Sequence, residues 1–352
     1  MLQSRSTMYG YASTRAKGMR SYLLSKQQMQ SIISSKDINS LLSILNQTTY
    51  SKSLSKFGGV EVKASLIDYA LSDDMAQHMI AVMRLTPNQD KSTMRSIVGR
   101  WDLHNIKIAL EAKASKRSFD DISSFIIDYG QYNKLKIKEV MNEDSIEHML
   151  QRFIINSNYS DILSQALERY SSTKSVSETI NTINALYYKN ISKSMSQLSS
   201  KGERAARVIR LEIDMRNITT LIKGRALSLD FSNITHILIS NGNINQVELK
   251  KIYTTSDSIE SLISKITLFD LKPALESYKK NKRLLVFEIS MRSKIFALAI
   301  NAITQSVLSL TTVIAYVYLK EIELSVLRAV ITGKEYGLDK DELSGLMIWK
   351  AE

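Results

Sequence analysis

Cysteine is absent from all 352 residues, which excludes disulfides, thiolate metal sites and a thiol nucleophile, and fits a cytosol-facing protein. Proline appears only at Pro87 and Pro273. A proline inside a helix costs on the order of 3 kcal/mol, so this scarcity suits long uninterrupted helices and weighs against an all-β fold. The histidines His78, His104, His148 and His236 are scattered, and none falls in an HxxxH or HExxH pattern. Glycine-rich phosphate loops are missing too. GKEYG at 333–337 has no glycine five residues earlier, no Ser or Thr after its lysine, and no preceding strand. The acidic groups Asp73-Asp74, Asp120-Asp121 and Asp339-Asp341-Glu342 lie beside expected helix starts, where capping accounts for them. No catalytic residue, metal site or cofactor is therefore expected.

Long apolar runs are also lacking. The N-terminal MLQSRSTMYGYASTRAKGMR has arginines but no apolar core, so no secretory signal is expected. The one long uncharged stretch, Ile295–Leu319, is broken by Asn301, Thr304, Gln305, Ser306, Ser309, Thr311 and Thr312, and reads as a buried helix.

What the chain has is a 44% hydrophobic content and an excess of 47 basic over 35 acidic residues, a formal charge of +12. Most of these cations are interspersed with Glu, Asp and Ser at helical spacing, the pattern of solvated helix faces. The densest basic stretch is YKKNKRLL, Tyr278–Leu285, with one aromatic residue and no nucleic-acid motif around it.

A unit about 110 residues long recurs three times. Asp102, Asp214 and Glu323 anchor the strings DLHNIKIALEAK, DMRNITTLIKGR and ELSVLRAVITGK. The same offsets then bring Ile106, Ile218 and Leu327, next Leu110, Ile222 and Ile331, and finally the cations Lys113, Arg225 and Lys334. Apolar triplets follow at Phe125–Ile127, Ile237–Ile239 and Leu346–Ile348, and the first two copies then reach Gly130 and Gly242. Upstream, the stripes Ile38-Leu41-Leu42-Leu45, Ile146-Met149-Leu150-Phe153 and Ile259-Leu262-Ile263-Ile266 each mark one face of an amphipathic helix. A shorter echo, ALERY ending at Tyr170 and ALESY ending at Tyr278, links the second and third copies.

These features predict an all-α protein of three similar helical bundles, residues 1–130 with an N-terminal extension, 131–242 and 243–352. Gly130 and Gly242 are expected as helix C-caps ending the first two copies. The basic residue closing each anchor helix should favour the negative end of its own dipole. DKDE at 339–342 reads as a capping box for a further helix.

The repeated strings, together with YGYASTRAKGMRSYLL near the N-terminus and AYVYLKEIELSVLRAVITGKEYGL from Ala315, resemble the C subunits of the archaeal and bacterial V/A-type ATP synthases, a family similar to the d subunit of the eukaryotic vacuolar proton pump. The resemblance implies a funnel-like, pseudo-threefold helical body without bond chemistry of its own. It implies a peripheral place at the cytoplasmic mouth of the proteolipid c-ring, where such a protein is a socket for central shaft subunits of D and F type. Membrane contact would be indirect, through the ring. It singles out Tyr9, Tyr11, Arg15 and Arg20. Tyr9, Arg15, Arg20, Asp102, Asn105, Asp214, Asn217, Glu323 and Arg328 are candidate interface residues, although buried hydrogen bonds between adjacent helices account better for the repeated acids and amides. Val326 departs from the pattern, because it stands where Asn105 and Asn217 stand in the other copies. The alternative is a helical-repeat scaffold that uses its charge to bind nucleic acid or acidic proteins.

Overall fold

The computed structural model describes residues 5–59, 61–196, 203–306 and 309–338, together with 340, 343, 345 and 348. Among them the regular structure is entirely helical, so the all-α expectation holds. In chain order the helices are α1 (Arg5–Met19), α2 (Lys26–Ser34), α3 (Ile38–Leu45), α4 (Ser51–Lys56), α5 (Lys63–Leu85), α6 (Lys91–Val98), α7 (Arg100–Ala114), α8 (Lys134–Val140) and α9 (Ile146–Ile154). They continue with α10 (Ser160–Thr173), α11 (Val176–Ser196), α12 (Glu203–Ala226), α13 (Phe231–Ile234), α14 (Gln246–Thr254), α15 (Ile259–Ser264), α16 (Lys272–Asn281), α17 (Leu285–Gln305) and α18 (Thr311–Glu335).

The chain forms two compact units. One comprises Met1–Arg20, Ser192–Ile322 and Asp339–Glu352; the other comprises Ser21–Ile191 and Glu323–Leu338. Gly130 and Gly242, the expected repeat ends, each fall inside a unit. In the second unit Ile106, Leu110, Ile127, Leu150 and Phe153 are fully buried, and the Tyr132 ring meets Phe153 edge-on at 5.2 Å. In the first, Ile213, Ile218, Leu249, Leu262 and Met291 are sealed in the same way.

Local capping shows why the repeat keeps its register. Ser25, Asn133 and Asn245 open α2, α8 and α14, and their side chains accept from the N–H groups of Gln28, Lys136 and Glu248. Asp37, Ser145 and Ser258 do the same for α3, α9 and α15. The long helices α7, α12 and α18 also end alike. Lys116, Ser228 and Gly337 take the left-handed conformation, and the next N–H reaches back to Ala112, Gly224 and Gly333 at 2.8, 2.9 and 2.8 Å. Only the third of these ends uses glycine for that turn.

Four expectations change. Asp73 and Asp74 lie in the middle of α5 and cap no helix start. Gly130 and Gly242 end no helix; they lie in loops that the next subsection explains. The segments after α7 and α12 are mostly turns, with α13 as a single helical turn. Ile295–Leu319 is not one helix, since α17 stops at Gln305 with Ser306 extended and α18 begins at Thr311. No described helix is long and apolar enough to cross a membrane. Most of the expected cap at 339–342 lies outside the described residues.

Candidate functional site: a repeated clasp

The repeated acids and amides are buried, and each fastens backbone from another part of its own unit. Asp102 accepts the Tyr132 N–H at 2.7 Å, 30 residues on, and the Tyr159 hydroxyl at 2.8 Å. Asp214 accepts the Ile244 N–H at 3.0 Å, again 30 residues on, and both the N–H and the side-chain amide of Asn243. Each carboxylate thus fixes the residue just before the N-cap of a later helix, α8 or α14.

Gly130 and Gly242 are explained by these carboxylates. A Cβ at Gly130 would collide with both Asp102 carboxylate oxygens, and one at Gly242 would collide with Asp214 Oδ1. Gly130 also has φ +86°, which a side chain rarely tolerates. The glycines leave room for the acid rather than capping a helix.

Asn105 and Asn217 form a second tie. The Asn105 oxygen accepts from Ile127 N–H at 3.0 Å, and its amide donates to the Ile127 and Tyr132 carbonyls at 2.7 and 2.8 Å. Asn217 brackets Ile239 in the same way, with both bonds at 2.8 Å. The amides satisfy the polar groups of buried, non-helical backbone at Ile127 and Ile239.

The cation at the end of each long helix makes the third tie. Lys113 donates to the Met141 carbonyl at 3.4 Å and Arg225 to Tyr253 at 2.7 Å, both across 28 residues. Lys334 donates to Ile33 at 3.4 Å and also to Ser35. Each cation therefore covers carbonyls at the C-terminal end of a different helix, α8, α14 or α2, and not merely the end of its own.

Glu323 completes the set. Its carboxylate accepts the Leu24 N–H at 2.5 Å and the Tyr50 hydroxyl at 2.7 Å. Leu24 precedes the N-cap Ser25, as Tyr132 and Ile244 precede Asn133 and Asn245. The last anchor thus grips the opening helix of the first copy, and Glu323 with Lys334 fixes α2 at both ends. Val326 supplies no polar group at the third amide position.

Burial pushes the Asp102 carboxyl upward, and the bonds from Tyr132 and Tyr159 oppose it only in part. Asp214 is raised by the same cause against bonds from Ile244 and Asn243. Burial, followed by the Asp102 charge, raises the Tyr159 phenol in turn, so this hydroxyl remains a donor. The Arg328 guanidinium is turned inward. It donates to Ser72 at 2.7 Å and stands 3.7 Å from Asp68, whose carboxyl is lifted to about 6 by burial despite that cation.

Of the nine candidate residues, Asp102, Asn105, Asp214, Asn217 and Glu323 are buried and engaged in these ties, while Arg328 and Tyr9 are half-buried. Arg15 and Arg20 are exposed. Sequence reasoning missed Tyr50, Tyr159 and Asn243. The tyrosines had a signal, since they follow the first isoleucine of their stripes, Ile38 and Ile146, by nearly the same interval.

Fold and clasp together define an all-helical protein in which buried side chains at recurring positions tie loop backbone to long helices. Residues 12–346 match the ATP synthase (C/AC39) subunit family, and the chain belongs to it. It is similar to the A-type ATP synthase C subunit of Thermoplasma acidophilum, 22% identical over 343 residues that cover 95% of this chain and 96% of the relative. Its likeness to the A-type ATP synthase C subunit of Methanocaldococcus jannaschii is 21% over 345 residues, 97% of this chain and 86% of that one.

Proposed function

We propose that the chain is a non-catalytic rotor subunit of a V/A-type ATP synthase or ATPase, a socket that joins the central shaft to the proteolipid c-ring for rotary ion transport. The observation that carries this reading is the family match over residues 12–346, and the clasp supports it. A torque adaptor must resist shear, and loops whose polar groups are fixed by buried side chains open only at high cost. The recurrence of the clasp supports three copies, 1–130, 131–242 and 243–352, arranged with pseudo-threefold, funnel-like symmetry. The expected partners are shaft subunits of D and F type and the ring, at the cytoplasmic face, with no nucleic acid. Arg15 and Arg20, both exposed, and the half-buried Tyr9 are the residues proposed to lie toward a partner.

The test is reconstitution with and without the chain. ATP hydrolysis by the catalytic head should persist without it, while ATP-driven ion transport is lost and returns on adding the purified chain. Full transport without it, or salt-resistant binding to duplex DNA with no affinity for ring or shaft, overturns the reading.

A further inference from the structure

The most basic turn of the chain, at the end of α16, has no part in the clasps. Its twin at the end of α10 shows what the fold requires there. Lys174 and Lys282 cap the two helices in the left-handed conformation, with φ 52° and 56°. Their N–H groups return to the Tyr170 and Tyr278 carbonyls at 2.7 and 2.8 Å, and their ammonium groups sit 5.6 and 5.3 Å over the same two rings.

Around this common frame the first turn carries Ser171, Ser172, Thr173 and Ser175, and the second carries Lys279, Lys280, Asn281 and Arg283. The backbone therefore folds without cations at these positions, and the three charges are an addition. Lys279, Lys280, Lys282 and Arg283 are all exposed, with Leu285 beside them, 49% exposed. Lys174 is bonded to Glu147, whereas Lys280 and Lys282 make no ion pair among the described residues. The Lys279–Glu276 pair is exposed and one helical turn apart, a weak neutraliser.

We propose that this turn docks on an anionic lipid surface. Clustered cations beside an exposed leucine suit headgroups and their apolar boundary. Single-stranded nucleic acid asks for exposed aromatic platforms, and here the one aromatic ring, Tyr278, lies between Lys282 and Phe287, the latter 5.3 Å away. The contact does not depend on the coupling reading, because vesicles alone reveal it.

The experiment measures binding of the full chain to vesicles of phosphatidylglycerol in phosphatidylcholine, against phosphatidylcholine alone, at low and high salt. Lys279→Ser, Lys280→Ser and Arg283→Ser together rebuild the α10 turn in α16. The triple variant should keep its thermal melt and lose on the order of a hundredfold in affinity for anionic vesicles. A control replacing the exposed Lys189, Lys250 and Lys251 with glutamine removes equal charge and should lose far less. High salt should weaken wild-type binding. Equal losses in both variants, no preference for anionic vesicles, or a turn-specific loss seen with RNA and not with vesicles each overturns the proposal.

Discussion

Asp102 and Glu323 occupy the same place in their long helices and lie in the same compact unit, yet one grips backbone 30 residues ahead and the other 299 residues behind. Loop-closure entropy grows as the logarithm of loop length, so the tenfold longer loop costs about 2 kcal/mol more if closed on its own. The Asp102 clasp is therefore a local device that α7 and its following loop assemble together. The Glu323 clasp depends on the start of the chain arriving first. In the third copy α2 therefore takes the place that α8 and α14 hold in the other two clasps.

The comparison breaks most severely at the acid itself. Asp102→Ala leaves the Tyr132 N–H and the Tyr159 hydroxyl without their acceptor at a largely buried site, and should cost about 4 kcal/mol in urea unfolding. Glu323→Ala strands two donors as well and should cost as much. If it costs less than about 1 kcal/mol, the long-range clasp is not an equal of the local one.

The amides sharpen the contrast. Asn105 makes three bonds to backbone and Asn217 makes two. Asn105→Val should cost about 3 kcal/mol and Asn217→Val about 2 kcal/mol, each lost bond counting roughly one. Equal costs would show that the Tyr132 carbonyl finds another donor.

Asp68 tests the same unit by pH. Its carboxyl is raised to about 6, so the folded state binds its proton more tightly than the unfolded chain does. Stability from this group is present at low pH and falls as pH rises from about 4 to about 6, by roughly 2 to 3 kcal/mol in all. Melting temperatures across that range should show the fall, and Asp68→Asn should flatten it. A slope unchanged by the variant assigns it to Asp102 and Asp214, which are shifted in the same direction.

Helical class, repeat length and anchor residues were all legible, because buried positions at helical spacing and three carboxylates in register leave a pattern in side-chain identity. The partners of those carboxylates were not. Tyr132, Ile244 and Leu24 are held by their backbone N–H, which any residue but proline offers. Gly130 and Gly242 stood out but were misassigned as caps, since their reason lies in an acid 28 positions earlier. The segments around Ile127 and Ile239 looked helical for the same cause. An amide side chain had replaced the helix as the partner of their peptide groups.

The weakest tie gives the finest test. Lys113, Arg225 and Lys334 all lie at one repeat position and all donate to the carbonyl end of a following or, for Lys334, a preceding helix. Replacing each with methionine keeps the apolar stem and removes the donor, so the loss should approach about 1 kcal/mol or less. Arg225 also stacks on the Tyr253 ring at 4.2 Å and donates to the Tyr253 carbonyl at 2.7 Å, so its variant should lose most. Lys113, with one bond of 3.4 Å, should lose least. The reverse order in chemical melts would mean that these cations act through their own helix dipoles, as sequence alone suggests, and not across the clasp.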